Sequence, residues 1–413
     1  MIGKCYSFWI SFRLERKVNL LKFATMNYIG KYLFFVLVLF KITPVSCQMI
    51  YVRLEKIGDI QQFTFISKAK THITTGTSYP DKIFELKQNE SVWVALKDNE
   101  IFLRKGDQIL GTFSRVRFIT DGEEPYFSIL TNGKTYTYAD NLLVKTNRSN
   151  LVLTNEVFIE NYIAGVMAGE VGSKVSPEFL KVQAVCSRTY VYRGLGKHRS
   201  EGFDMCDKVH CQAYKGVTIH QKEYQKACHE TANEIITTLD GKLIDAVFYA
   251  NCGGATANSE DVWANEVPYL RSVNDGNFCA KTMNTHWKKM ISKTDFLNAI
   301  GKYYNVQAQS FELERDAHGR IKFLLVNGKK DYKITGEQLR RLLGLKSAKF
   351  TISTQGNYMY LIGKGFGHGV GMCQDGAYAR SEAGWKYDQI IKYYYQNVEI
   401  KPMEIHEFQK WKY

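Results

Sequence analysis

The chain has 413 residues, is 45% hydrophobic and 14% aromatic, and contains only 6 prolines. That length and composition supply at least one large core, exceed the usual size of a single domain, and exclude a long disordered linker. The formal net charge of +14 suits an anionic polymer, but a positive excess fits nucleic acid or simple solubility as well, so charge alone selects no partner.

The first 48 residues read as a targeting segment. Lys31 precedes an apolar run from Tyr32 to Phe40, followed by a short tract ending Pro44, Val45, Ser46, Cys47, Gln48. The run is too short for a bilayer-spanning helix, which needs about 20 apolar residues, and a charged flank with small residues after it describes a secretory signal peptide. Met26 is then a candidate start, with 1–25 an upstream extension. Cleavage near Cys47 or lipidation of Cys47 are alternatives, as is a buried N-terminal strand. An exported protein of the periplasm or cell envelope is expected, with no transmembrane helix in the mature chain. Without residues 1–48, which hold seven Lys/Arg and one Glu, 48 basic and 40 acidic residues remain, net +8. Seven cysteines also remain, an odd number, so in an oxidising compartment at least one is free, metal-bound or paired outside the chain.

Residues 49–153 carry short strand-like runs, among them 63–66, 91–95, 101–103, 116–119 and 126–130. Turn pairs such as Asp121-Gly122 and Asn132-Gly133 punctuate them, predicting a small all-β accessory domain without a catalytic constellation. Texture changes at Asn155. Val157, Ile159, Ile163 and Val166 have helical spacing over 156–167, and Ser176-Pro177 opens a second helix over 178–193, since serine caps and proline tolerates the first turn. Further helices are expected at 222–231, 293–303, 335–343 and 385–395, and strands at 235–238, 245–250, near Phe311 and at 321–326. The mixed order implies an α+β fold, with a main domain over 154–400 and a tail over 401–413.

Seven segments from Asn155 to Val398 stand in an order and spacing that resemble the stage II sporulation protein D (SpoIID/LytB) family. They are Tyr162-Ile-Ala-Gly-Val-Met-Ala-Gly-Glu170, Leu180-Lys-Val-Gln-Ala-Val-Cys-Ser-Arg-Thr-Tyr190, the stretch from Cys206 through Cys211 to Gly216, Phe248-Tyr-Ala-Asn-Cys-Gly-Gly254 leading to Trp263, Pro268-Tyr-Leu-Arg-Ser-Val273, Leu339-Arg-Arg-Leu-Leu-Gly344, and Gly365-Phe-Gly-His-Gly-Val-Gly-Met-Cys-Gln-Asp-Gly-Ala377. The resemblance implies a lytic transglycosylase that cleaves the glycan strands of peptidoglycan after N-acetylmuramic acid and leaves an anhydro end. It places the catalytic glutamate at Glu170. It also permits a non-catalytic peptidoglycan-binding activator of another cell-wall hydrolase. Cys252 and Cys373 depart from the family pattern, standing where hydroxyl-bearing residues are expected.

Read as chemistry, glycosidic cleavage needs a proton on the leaving oxygen, and hydrolases add a second carboxylate. A transglycosylase dispenses with the second, because the muramic acid 6-hydroxyl attacks and one carboxyl serves as acid and then base. Val166, Met167, Ala168, Gly169 and Val171 surround Glu170 with small or apolar groups, which favours the acid form; a helix-terminal surface glutamate is the competing reading. Gln183, Ser187 and Tyr190 share one helical face beside Arg188. These offer contacts to sugar hydroxyls, acetamido groups or the lactyl carboxylate, or they lace the core. His368 and Gln374 belong to a glycine-rich loop that allows close ligand approach, with a backbone-satisfied core histidine as the alternative. Tyr249, Ser259 and Trp263 are candidate stacking or hydrogen-bonding groups.

Cys206, His210 and Cys211 bring soft and borderline ligands within six residues, and His198 adds a fourth, a set zinc favours in a structural or site-shaping role. A Cys206–Cys211 disulfide competes with it, and pairings among Cys252, Cys279 and Cys373 stay open. A zinc amidase acting on stem peptides would need an open metal position. A nucleic-acid partner is not expected, since no basic stripe interleaved with aromatics stands out.

Overall fold

The computed structural model describes residues 48–76, 82–172, 174–208, 210–280 and 285–403. The expected signal peptide therefore lies outside the described residues except for Gln48, as do residues 404–413 of the tail. Among the described residues the fold is α+β and divides into two units, one running to Gly165 and taking in 196–218, the other comprising 166–195 and the residues from Ile219 on.

The first unit is built from β1 (Met49–Arg53), β2 (Gln62–Ser67), β3 (Thr71–Thr75), β4 (Lys82–Leu86), β5 (Ser91–Lys97), β6 (Glu100–Lys105), β7 (Gln108–Phe113), β8 (Val116–Thr120), β9 (Tyr126–Thr131), β10 (Lys134–Ala139), β11 (Asn141–Thr146), β12 (Leu151–Phe158) and β13 (Met205–Cys206). One sheet has the order β13-β1-β12-β11-β8-β3-β4 and the other β10-β9-β2-β5-β6-β7. Burial alternates residue by residue along β1, β3 and β8, as a strand with one core-facing side requires. Phe65 of β2 stacks on Phe118 of β8 at 4.0 Å and lies 5.3 Å from Phe127 of β9, joining the two sheets.

Helix α1 (Ile159–Glu170) starts three residues later than its apolar spacing predicts. Residues up to Phe158 are held as strand because β12 pairs with both β1 and β11, and Val157 satisfies a strand's alternation as well as a helix's period. The buried Asp140 carboxylate accepts the Phe158 N–H at 2.9 Å and the Asn161 amide, fixing where β12 turns into helix.

In the second unit, α2 (Pro177–Gly194) is the central helix; it touches α3 (Gln221–Glu230), β14 (Glu234–Thr238), α6 (Gln374–Glu382) and α7 (Tyr387–Tyr394). Between them come β15 (Phe248–Tyr249), β16 (His286–Ser292), α4 (Lys293–Tyr304), β17 (Phe311–Arg315), β18 (Ile321–Val326), β19 (Lys333–Thr335), α5 (Gly336–Leu342), β20 (Phe350–Gln355), β21 (Tyr358–Lys364) and β22 (Met372–Cys373). Residues 286–361 close their own core around Trp287, Phe296, Leu324, Leu339 and Leu361. Residues 245–250 form strand only at β15, which pairs with β22. The last strand, β23 (Val398–Pro402), pairs with β14, so Lys401 and Pro402 belong to the fold rather than to a tail.

Candidate functional site

Glu170 is the last residue of α1 and is half-buried, after Val166, Met167 and Ala168, which are buried, and before buried Val171. Gly172 follows with φ 61°, the left-handed conformation that ends helices and that glycine adopts without a Cβ penalty. The segment after Glu170 is anchored at three points within its unit. Tyr224 donates to the Gly172 carbonyl at 3.1 Å, Lys174 pairs with Asp375, and Ser381 bonds Ser176 at 2.9 Å. Asp375 in turn accepts Asn251 Nδ2 at 2.8 Å. These anchors were not legible beforehand, because Tyr224, Lys174 and Asp375 look like ordinary surface residues in sequence.

Beside Asp375, Gln374 donates to Gln183 Oε1 at 3.3 Å, and Gln183 donates to Ser187 at 3.2 Å. The chain of three is almost completely buried. Arg188 is fully buried, and its guanidinium bonds the Glu234 and Cys228 carbonyls at 3.0 and 3.3 Å, so it ties α2 to α3 and β14 as the core-lacing alternative expects. Tyr190, on the same helix, is half-buried.

A second cluster holds Tyr249, His368 and Trp263. The His368 ring lies 5.0 Å from Tyr249 and 5.5 Å from Trp263, whose indole is 38% exposed. Both imidazole nitrogens are taken by backbone: Nε2 donates to the Phe248 carbonyl at 3.1 Å, and Nδ1 accepts the Val370 N–H at 3.1 Å. Burial pushes this imidazole down to about 4, so it is neutral with its tautomer fixed. The Tyr249 hydroxyl is buried and makes no hydrogen bond among the described residues. Gly369 allows the buried Arg320 guanidinium to lie against the loop, since a Cβ there would sit 2.4 Å from Arg320 Cζ. Arg320 was missed by sequence reasoning. Ser259 is buried and accepts Val267 N–H at 2.8 Å and Arg271 at 3.0 Å, stabilising its own turn.

The metal-ligand candidates lie in the first unit. One ligand atom from each of His198, Cys206, His210 and Cys211 falls within 4.8 Å of all the others. His198 Nε2 is 3.3 Å from Cys211 Sγ, and His210 Nδ1 is 3.9 and 3.8 Å from Cys206 and Cys211 Sγ. Both cysteines are free thiols. Glu201 Oε1 is 2.7 Å from His198 Nδ1, a contact of the kind that would orient the imidazole if it bound a metal; sequence reasoning did not find it. Strand β13 fixes Cys206 by pairing it with Arg53. The neighbouring segment is held by packing: Tyr214 bonds buried Asn155 at 2.7 Å and lies 4.9 Å from the Tyr162 ring.

Comparison with known proteins places the chain among relatives of known description. The sequence model of the family described as "Stage II sporulation protein" matches residues 147–238, which include Glu170, all of α2 and the four metal-ligand candidates. The chain is 31% identical to stage II sporulation protein D of Bacillus amyloliquefaciens over 257 residues, 59% of this chain and 74% of that protein. It is 30% identical to an uncharacterized protein of Brachyspira hyodysenteriae over 334 residues, 78% of this chain and 85% of that one. A more distant relative is the amidase enhancer of Bacillus subtilis, 26% identical over 58% of this chain and 40% of that protein. Among the described residues no helix is long and apolar enough to cross a membrane.

Proposed function

Because the chain belongs to the stage II sporulation protein D family, we propose that it is an exported cell-wall enzyme that cleaves peptidoglycan glycan strands by lytic transglycosylation, with Glu170 as its general acid and base. The observation that carries this reading is the placement of Glu170: half-buried at the C-terminal end of α1, beside apolar neighbours and a left-handed glycine, on a segment anchored by Tyr224, Asp375 and Ser381. In this reading Glu170 carries its proton when it meets the glycosidic oxygen.

In the reaction, the Glu170 carboxyl gives its proton to the glycosidic oxygen as the bond from the muramic acid anomeric carbon breaks. The resulting carboxylate takes the proton of the same sugar's 6-hydroxyl as that oxygen bonds to the anomeric carbon. The carboxyl is regenerated, no water enters, and the product ends in a 1,6-anhydro ring. His368 has neither nitrogen left for proton transfer, which supports a single-carboxyl mechanism. In this reading the exposed part of Trp263 is the candidate sugar contact, while the buried Tyr249, Gln183, Gln374, Arg188 and Ser259 hold the scaffold.

His198, Cys206, His210 and Cys211 would hold zinc, a reading their donor chemistry and the Glu201 contact support. The ion would supply structural cross-linking of the loop, since four protein ligands leave no open position.

The relative named amidase enhancer favours a second reading, a non-catalytic activator that binds peptidoglycan for another cell-wall hydrolase. Mass spectrometry of purified peptidoglycan treated with the mature protein separates the two. Anhydromuramic ends from the wild type and not from Glu170→Gln support the transglycosylase. Intact glycan from both, with the protein sedimenting with the polymer, supports the activator.

A further inference from the structure

Three cysteines of the second unit, Cys252 and Cys373, which depart from the family-like pattern, and Cys279, which lies outside it, converge on one buried carboxylate. Cys252, Cys279, Cys373 and Asp275 are all fully buried, and one ligand atom from each falls within 4.8 Å of all the others. Cys252 Sγ lies 3.4 Å from Cys279 Sγ and 3.2 Å from Asp275 Oδ2. We propose that these four residues form a second metal site, a closed structural site for a thiophilic divalent ion, with zinc as the best match.

The spacing suits an ion at the centre. Two sulfurs bound at zinc–thiolate length to a tetrahedral ion stand about 3.8 Å apart, so the cluster needs only small adjustments. A disulfide needs sulfurs about 2.05 Å apart and would leave the third thiol buried beside it. The surroundings also direct N–H donors at two of the sulfurs. Gly254 N–H donates to Cys279 Sγ at 3.2 Å, and the N–H groups of Cys252 and Gly376 donate to Cys373 Sγ at 3.3 and 3.4 Å. Cys373 is the N-cap of the nine-residue α6, where the helix end favours negative charge. Asp275 is prepared on its other oxygen: Oδ1 accepts Arg380 and, at 2.7 Å, Tyr394, the outer bonding that orients a ligating carboxylate. Oδ2 is the atom that faces Cys252.

Charge supports the same assignment. Three thiolates and a carboxylate in a dry site are prohibitive without cations. A divalent ion offsets two charges and Arg380 a third, leaving the N–H donors and the α6 N-terminus to face the last. Soft thiolates select zinc over calcium or magnesium. Bound there, the ion would tie the turn 251–254, the turn 274–280 and the start of α6 together. Gln374 and Asp375, at the start of that helix, are the residues that bond Gln183 and pair with Lys174. The assignment does not depend on the proposed reaction.

The test is zinc content by inductively coupled plasma mass spectrometry on the full chain, purified from its exported form without reductant or chelator. Cys206→Ser/Cys211→Ser, which removes the first cluster, retains roughly one zinc per chain, and adding Cys279→Ser abolishes it. A folded double variant without zinc overturns the proposal. If that variant does not fold, the unaltered chain decides by non-reducing peptide mapping and cobalt substitution. A disulfide between any two of Cys252, Cys279 and Cys373 overturns the site. Three unlinked thiols, with a thiolate-to-cobalt absorption band that Cys279→Ser weakens, support it; a band that Cys279→Ser leaves unchanged overturns it.

Discussion

His368 shows how a residue in a catalytic-looking loop is committed elsewhere. Its two nitrogens serve the Phe248 and Val370 backbone, and burial lowers its pKa from 6.5 to about 4, with Arg320, Glu337 and Arg340 the charged groups acting on it. A depressed pKa contributes stability that is complete above about 6.5 and is lost as pH falls toward about 4. The unfolding midpoint of the wild type is therefore predicted to fall more steeply over that window than that of His368→Gln, measured by thermal melts. Parallel profiles would contradict this. Asp140 and Asp207, which burial raises to about 6, act in the opposite direction but are present in both proteins. Arg380 is the other residue with a large stake. It pairs with the fully buried Asp275, and Phe278 and Tyr393 lie 4.3 and 4.0 Å from its guanidinium. Arg380→Ala strands that carboxylate and should cost about 3–5 kcal/mol by urea denaturation; a loss under about 1 kcal/mol would mean the pair is dispensable.

At the scale of elements, legibility followed the physical signal. Helix α2 was visible because Ser176-Pro177 marks its start and its apolar positions repeat. Helix α6 was invisible: it buries Gln374, Asp375, Gly376 and Arg380, so ionic partners take the place of an apolar stripe. Residues 212–216, which entered only as part of a family-like segment, act through close packing. Gly216 has φ 70°, and a Cβ there would lie 2.2 Å from the Thr137 carbonyl oxygen. Gly216→Ala is predicted to destabilise by about 1–3 kcal/mol, read by denaturant midpoint, whereas Gly172→Ala meets no atom within 4 Å and should cost only the left-handed strain of about 1–2 kcal/mol. The loop carrying His198, Cys206, His210 and Cys211 should behave as a structural metal element. A chelator is expected to lower the melting temperature, while protein that remains folded still produces anhydro ends. Loss of product chemistry from folded, metal-free protein would contradict the structural role.

For the whole molecule, composition and pattern were enough for an α+β fold with a β-rich first part, but not for the return of 196–218 to that part. Such a return depends on non-local pairing, β13 against β1 and Tyr214 against Asn155, which no local period encodes. Likewise the family resemblance pointed to Glu170 as a candidate, while the contacts that anchor the segment after it were not legible, because Lys174 and Asp375 are 201 residues apart. The central claim is that this scaffold holds Glu170 as the proton-transfer group. The most direct measurement is the rate of anhydromuropeptide release at saturating glycan, for wild type and Glu170→Gln, with thermal midpoints recorded alongside. The predicted result is a fall of about 100- to 10,000-fold at an unchanged midpoint, and equal rates from the two proteins would contradict the account.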